Sequence, residues 1–167
     1  GAIPVRLLPA LVERTTVPAT GAGPTHVTIG IGESELRPAV LDFTESQHLI
    51  VLGDSGCGKT SALRTLCTQL IRAATPDRVQ IHLVDLRRTL LGVVDADHLG
   101  GYLMSTAMVQ AHLPGVAEQL RARLPGASVT QQQLRDRSWW SGPEIYVMVD
   151  DYELVCGAGP DPLAPLL

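Results

Sequence analysis

Gly53-Asp54-Ser55-Gly56-Cys57-Gly58-Lys59-Thr60 holds the one lysine of a 167-residue chain whose twelve other basic residues are arginine. Its spacing is G-x-x-x-x-G-K-[ST], the pattern of a phosphate-binding loop. Glycines let successive backbone N–H groups turn inward around phosphate oxygens. A helix starting at the loop's end adds its positive dipole end. The lysine supplies a compact, flexible ammonium that can follow the outer phosphates, where a broad planar guanidinium would not fit.

The flanks agree with that reading. His48-Leu49-Ile50-Val51-Leu52 is a short apolar run that predicts a buried parallel strand over 48–52. After the loop, Ala62, Leu63, Leu66, Cys67, Leu70, Ile71 and Ala74 recur at helical spacing, and Pro76 ends the run. A strand before and a helix after are what a P-loop requires. Residues Gly53 to Thr60, with Ser61, are therefore the candidate nucleotide-binding set. The Thr60 hydroxyl is the candidate Mg²⁺ ligand.

A second chemical signal lies downstream. Glu144-Ile145-Tyr146-Val147-Met148-Val149 reads as a strand and runs into Asp150-Asp151. An apolar run ending in an acidic pair is the Walker B pattern. It puts carboxylates at the C-terminal edge of a parallel sheet, where ligands of open α/β sheets bind. Asp150 is the candidate holder of the Mg²⁺ shell. Asp151 is the candidate catalytic residue, orienting or deprotonating an attacking water.

Between these signals the chain alternates in character. Val27–Ile31 and Pro38–Asp42 flank Gly32-Glu33-Ser34-Glu35 and predict a β-hairpin. Val79–Asp85 predicts a buried strand, followed by Arg87-Arg88, which suit either a solvated turn or a phosphate or interface role. Residues 91–101 hold three glycines and read as loop. Ser105 can cap a helix to about Leu124, with Pro114-Gly115 forcing a kink or break. Thr130 with Gln133 forms a capping-box pattern. Trp139-Trp140 either packs at a sheet edge or anchors a partner.

Composition excludes several classes. Hydrophobic residues are 45% and charged residues 18%, so the chain is globular rather than disordered. No apolar run reaches the roughly 20 residues of a membrane-spanning helix, and Gly1–Arg6 lacks a signal-peptide layout. Three cysteines and five histidines show no metal spacing and no even-numbered disulfide framework. Reduced thiols fit the cytosol. A net charge of −4 and the lack of lysine outside the loop argue against a surface that tracks duplex nucleic acid. A GTPase would need an N-K-x-D motif, for which no second lysine exists.

Three stretches carry a family resemblance. They are Leu52 to Thr60; Val84-Asp85-Leu86-Arg87-Arg88-Thr89-Leu90-Leu91; and Arg137-Ser138-Trp139-Trp140-Ser141-Gly142-Pro143 leading through the third strand to Tyr152. Together they resemble the FtsK/SpoIIIE-like motor ATPases, and within them the EccC-type ATPases of type VII secretion systems, in particular a C-terminal ATPase module. The resemblance implies a RecA-like P-loop fold: α/β, three-layered, with a mostly parallel sheet and the hairpin at its N-terminal side. It implies ATP and Mg²⁺ as cofactors. It implies neighbouring ATPase modules and secreted small helical proteins as partners, with nucleic acid not expected. It also implies a cytoplasmic place in a larger complex, held at the membrane through other parts of the protein.

Two departures from the family pattern shape the functional expectation. Active motors carry glutamate where this chain has Asp151, one methylene shorter. A shortfall of about 1 Å can cost roughly 100-fold in rate. The expected function is thus an ATP-binding module of a secretion motor with slow or no hydrolysis, against an active hydrolase driving protein or, less favoured, DNA translocation. The second departure is that a RecA-like sheet continues after Walker B with a strand between 48–52 and 144–149. On that basis 25–167 is expected to be the N-terminal part of a P-loop ATPase domain, through Walker B, while Pro4, Pro9, Pro18 and Pro24 mark residues 1–24 as an entry linker. Such a piece is expected to be unstable alone, with open strand edges.

Overall fold

The computed structural model describes residues 7–17, 23–33, 36–157 and 160–166. Parts of the expected entry linker (1–6 and 18–22), two residues of the expected hairpin turn (34–35) and part of the glycine-rich stretch near the end (158–159) lie outside them.

The hairpin forms as expected. Strands β1 (His26–Ile31) and β2 (Pro38–Asp42) pair antiparallel, with a register irregularity between Thr28 and Gly30. Helix α1 (Lys59–Ala73) follows the glycine loop. Strand β3 (Val79–Val84) is the centre of a three-stranded parallel sheet, between β4 (Leu99–Leu103) and β5 (Glu144–Val149). Helix α2 (Thr106–Arg121), short helix α3 (Gln131–Asp136) and short helix α4 (Tyr152–Cys156) complete the described elements, with single 3-10 turns at Arg14–Thr16 and Ala164–Leu166.

The period of two along β3 and β5 divides the core. Val79, Ile81, Leu83 and Met148 point to one face and pack with Leu66, Cys67 and Leu70 of α1 and with Val27 of the hairpin. Val84, Val147 and Val149 point to the other, where Val109 and Leu113 of α2, Val155 of α4 and Leu163 meet them. Helix, sheet and helix thus form three layers around an aliphatic core. This is the α/β parallel-sheet architecture of the sequence reading.

The expected strand at 48–52 does not form. A strand exists through the ladder it shares with a neighbour, and no described strand bonds this stretch. Ile50 and Leu52 are consequently 80% and 87% exposed. A second correction concerns 91–101, whose end is strand β4. Its glycines hid it, yet they have a packing reason. A Cβ on Gly100 would collide with the His82 ring, and one on Gly101 would come within 2.7 Å of His112 Nε2. Glycine in a strand commonly marks such a close approach. The two rings meet there, with His82 Nδ1 2.9 Å from His112 Nε2.

Helix α2 runs through Pro114 rather than breaking. Pro114 and Gly115 lie on its exposed face, where water can satisfy the carbonyl that loses its donor. Ser105 caps α2 through a bond from Met108 N, and Thr130 with Gln133 forms the expected capping box. The tryptophans pack: Trp139 Nε1 donates to the Arg123 carbonyl at 2.6 Å, and the Arg123 guanidinium lies 4.4 Å above the Trp140 ring.

Candidate functional site

The glycine loop has the backbone its sequence demands. Gly56 has φ 77° and Gly58 has φ 100°, in the left-handed region that favours glycine. Gly58 is also the N-cap of α1, and no side chain caps that end. The first-turn N–H groups of α1 are thereby left for a ligand. A Cβ on Gly53 would meet the Cys57 thiol, which would have to turn aside. Gly53, Asp54, Ser55, Gly56, Cys57, Gly58 and Ser61 are all exposed. Lys59 reaches back across the loop, donating from Nζ to the Gly53 carbonyl at 2.8 Å and the Asp54 carbonyl at 2.9 Å. The ammonium therefore already stands over the mouth of the loop.

The acidic side is built by register. Val84 of β3 is paired with Val149 of β5, so Asp85 and Asp150 leave the sheet side by side. Their backbones stay in the ladder, with Asp150 N donating to Val84 O and Asp85 N to Leu103 O. Both carboxylates are buried. Thr60 Oγ1 donates to Asp150 Oδ2 at 2.9 Å and Oδ1 at 3.1 Å. Two residues 90 positions apart, chosen separately from the sequence as metal ligands, are thus in direct contact. Thr89 Oγ1 donates to Asp150 Oδ2 at 2.7 Å.

Asp85 is the anchor of this edge. Its carboxylate accepts from Thr89 N, Leu90 N and the Tyr102 hydroxyl at 2.7–3.0 Å. Burial pushes its pKa up, but the Tyr102 hydroxyl and these backbone donors hold it below the usual carboxylate range. Tyr102 in turn is pushed up to about 12 by burial and by the same bond.

Asp151 sits one residue beyond the strand, in the left-handed region at φ 53°. Its carboxylate does not cap α4. It pairs instead with Arg87 Nε at 3.0 Å, which answers what Arg87 does. Arg88 is the left-handed residue of the same turn, at φ 59°.

The residues present fit Mg²⁺ with nucleotide. Thr60 and Asp150 offer hard oxygen donors, and Mg²⁺ takes one or two carboxylates with phosphates and water completing its shell. Among the described residues Asp150 is a buried carboxylate held by hydroxyls, with no cationic partner. Among the described residues no cluster of three or more His, Cys, Asp or Glu is placed to hold a metal ion. Sequence reasoning missed Asp85, Thr89 and Tyr102. Asp85 had a signal, an apolar strand ending in aspartate as at Asp150. Thr89 and Tyr102 had none, because their roles depend on how the 85–98 connection folds.

The chain is 46% identical over 166 residues to the ESX-4 secretion system protein EccC4 of Mycobacterium tuberculosis, covering 98% of this chain and 13% of that protein. Its fold matches the cytoplasmic domain of the type VII secretion ATPase EccC of Thermomonospora curvata, with a TM-score of 0.86 and 38% identity over 99% of this chain and 19% of that one. It also matches ATPases 2 and 3 of the same EccC in complex with a signal sequence peptide, with a TM-score of 0.85 at 38% identity over 99% of this chain and 30% of that one. The chain thus spans about an eighth of the curated relative and under a third of either solved structure. The FtsK/SpoIIIE family model matches residues 10–112, more than half of the sequence, and the chain belongs to the FtsK/SpoIIIE family.

Proposed function

We propose that this chain is an ATP-binding module of a multi-domain protein-secretion motor, with weak or no hydrolysis of its own. The observation that carries the reading is the contact of Thr60 with Asp150, which brings the end of the phosphate loop to the acidic edge of the sheet. Gly53 to Ser61 would cradle the phosphates, and Lys59 would trade two loop carbonyls for phosphate oxygens. Thr60 and Asp150 would hold Mg²⁺, which when bound neutralises phosphate charge. On this reading residues 25–167 belong to one P-loop ATPase domain entered through 1–24.

Asp151 is the candidate base. The Arg87 ion pair adds to the argument from its short side chain, because the guanidinium already engages Oδ2 of that carboxylate at 3.0 Å. Slow hydrolysis follows. Secreted small helical proteins and neighbouring ATPase modules are the partners this reading implies. The related EccC held with a signal sequence peptide supports the first. The location is cytoplasmic, at the membrane through other parts of the complex. Among the described residues no helix is long and apolar enough to cross a membrane. Duplex DNA is not an expected partner, given the charge of −4.

Calorimetric titration with Mg-ATP tests the assignment. Lys59→Ala is expected to weaken binding by at least about tenfold, or about 1.4 kcal/mol. Unchanged affinity would remove the loop from the site. Phosphate release should stay well below the roughly 1–10³ s⁻¹ of ordinary enzymes. A rate in that range, lost in Asp151→Asn, would establish the active-hydrolase alternative instead.

A further inference from the structure

We propose that the Asp85–Leu90 turn is the positioning element of the metal side of this site, and that Thr89 acts through Asp150. The role rests on the ATP and Mg²⁺ reading above and deepens it.

The Asp150 carboxylate has a rotational freedom that must be removed. The terminal torsion of an aspartate is broad and roughly two-fold, so strand β5 alone does not fix where the Asp150 oxygens point. Two hydroxyls reach that carboxylate. Thr60 is shared between both oxygens, at 2.9 and 3.1 Å, and so sets no preference. Thr89 is asymmetric, bonding Oδ2 alone at 2.7 Å. It therefore selects one orientation. Oδ2 is occupied by both hydroxyls, and Oδ1 keeps lone pairs to offer a cation.

A pointer is useful only if it is itself held. Asp85 holds Thr89 by its backbone N–H and holds Leu90 by the next one. The Tyr102 hydroxyl from β4 closes on the same carboxylate. Leu90 is fully buried in the α1 core. Arg64, on the exposed side of α1, donates to the Thr89 carbonyl. The turn is thus pinned from the sheet, from the core and from the helix that begins at the phosphate loop.

The hydrogen-bond inventory of Thr89 supports the assignment. A threonine has one hydroxyl proton. Its oxygen lies 3.2 Å from Asp85 and 2.7 Å from Asp150. Asp85 is already supplied by backbone donors, so the proton goes to Asp150. The same turn carries Arg87, which ties Asp151. One segment outside both sequence motifs thereby reaches both carboxylates of the acidic pair.

The test is the Mg²⁺-dependent part of ATP affinity, measured in the purified protein by titration with Mg²⁺ and again in EDTA. In Thr89→Val, which keeps the shape and loses the hydroxyl, the gain from Mg²⁺ is expected to fall about tenfold, with affinity in EDTA unchanged. Thr89→Ser should restore it. Equal loss in both conditions, no loss, or no rescue by serine would overturn the role of Thr89. An unaltered protein that binds no ATP would overturn the proposed function itself, which separates the two failures. Hydrogen exchange of the unaltered protein gives a second reading should Thr89→Val not fold. The amides of 86–90 should gain protection with Mg-ATP and not with ATP in EDTA. Identical protection in both would overturn the proposal.

Discussion

The two halves of the site are held together very differently. The acidic half lies on β3 and β5, paired through six successive positions, with Asp85 and Asp150 buried and cross-bonded. The phosphate half, residues 48–58, carries no ladder bond, exposes Ile50 and Leu52, and is crossed by the long side chain of Lys59. One half is finished by the fold. The other has a specified backbone at Gly56 and Gly58 but few interactions to hold it. On the proposed reading, the metal side is built largely by the fold, and the phosphate side is the part that a ligand would order most.

Breaking the prebuilt half should therefore have the largest effect on stability. Asp85→Ala leaves the N–H groups of Thr89 and Leu90 and the Tyr102 hydroxyl without their acceptor. At about 1–3 kcal/mol for each group left unsatisfied, a loss of about 4 kcal/mol is expected. Asp54→Ala in the exposed loop should stay within about 0.5 kcal/mol, as surface changes usually do. Denaturant unfolding of the two variants measures this. Similar losses would mean that the two halves are equally structured and the contrast is false.

Acid offers a second way to separate the halves. Burial and the neighbouring His112 lower the pKa of His82 to about 4 from 6.5. Its Nε2 is buried without a partner among the described residues, and both rings lie against Gly100 and Gly101. The unfolded chain binds a proton at His82 near pH 6.5 and the folded one only near pH 4, so stability falls as pH drops through that window. The loss is on the order of 3 kcal/mol. His98 runs the other way: burial lowers its pKa, but the Ala74 carbonyl and Asp95 raise it further, so its net shift is upward; its contribution is fully present below pH 6.5 and does not shape the fall. Urea unfolding at intervals from pH 7 to 4.5 should show a fall that His82→Leu flattens. An equally steep fall in that variant would place the acid sensitivity elsewhere.

These contrasts also explain what the sequence could show. The octapeptide, the helix after it and the acidic end of β5 were legible because each is a local pattern of spacing and period. The hairpin and both helix caps were legible for the same reason. The strand at 48–52 was misread because the four apolar residues after His48 state a preference for pairing, whereas a ladder needs a neighbour that the run does not contain. Strand β4 was missed because Gly100 and Gly101 serve two histidines, one 18 positions before and one 11 after, and glycine seen locally reads as loop. Thr89 was invisible because its meaning depends on Asp85 four residues earlier and on Asp150 sixty-one residues later.

The smallest expected effect sharpens the contrast inside the acidic half itself. Asp150 is buried, but the Arg87 side chain that pairs with Asp151 is 59% exposed. An ion pair open to water on one side is screened and contributes at most about 1 kcal/mol. Arg87→Gln should therefore lower the melting temperature by no more than about 4 °C, on the scale of 2–4 °C per kcal/mol for a chain of this size. It should leave the Mg²⁺-dependent part of ATP affinity intact, because Thr89 and not Arg87 reaches Asp150. A thermal melt and the same pair of titrations decide it. A loss as large as that of Asp85→Ala would show that Arg87 is a structural member of the turn. A loss of the Mg²⁺ effect would show that the two carboxylates of the pair move together, and that Asp150 is not held independently by the buried edge of the sheet.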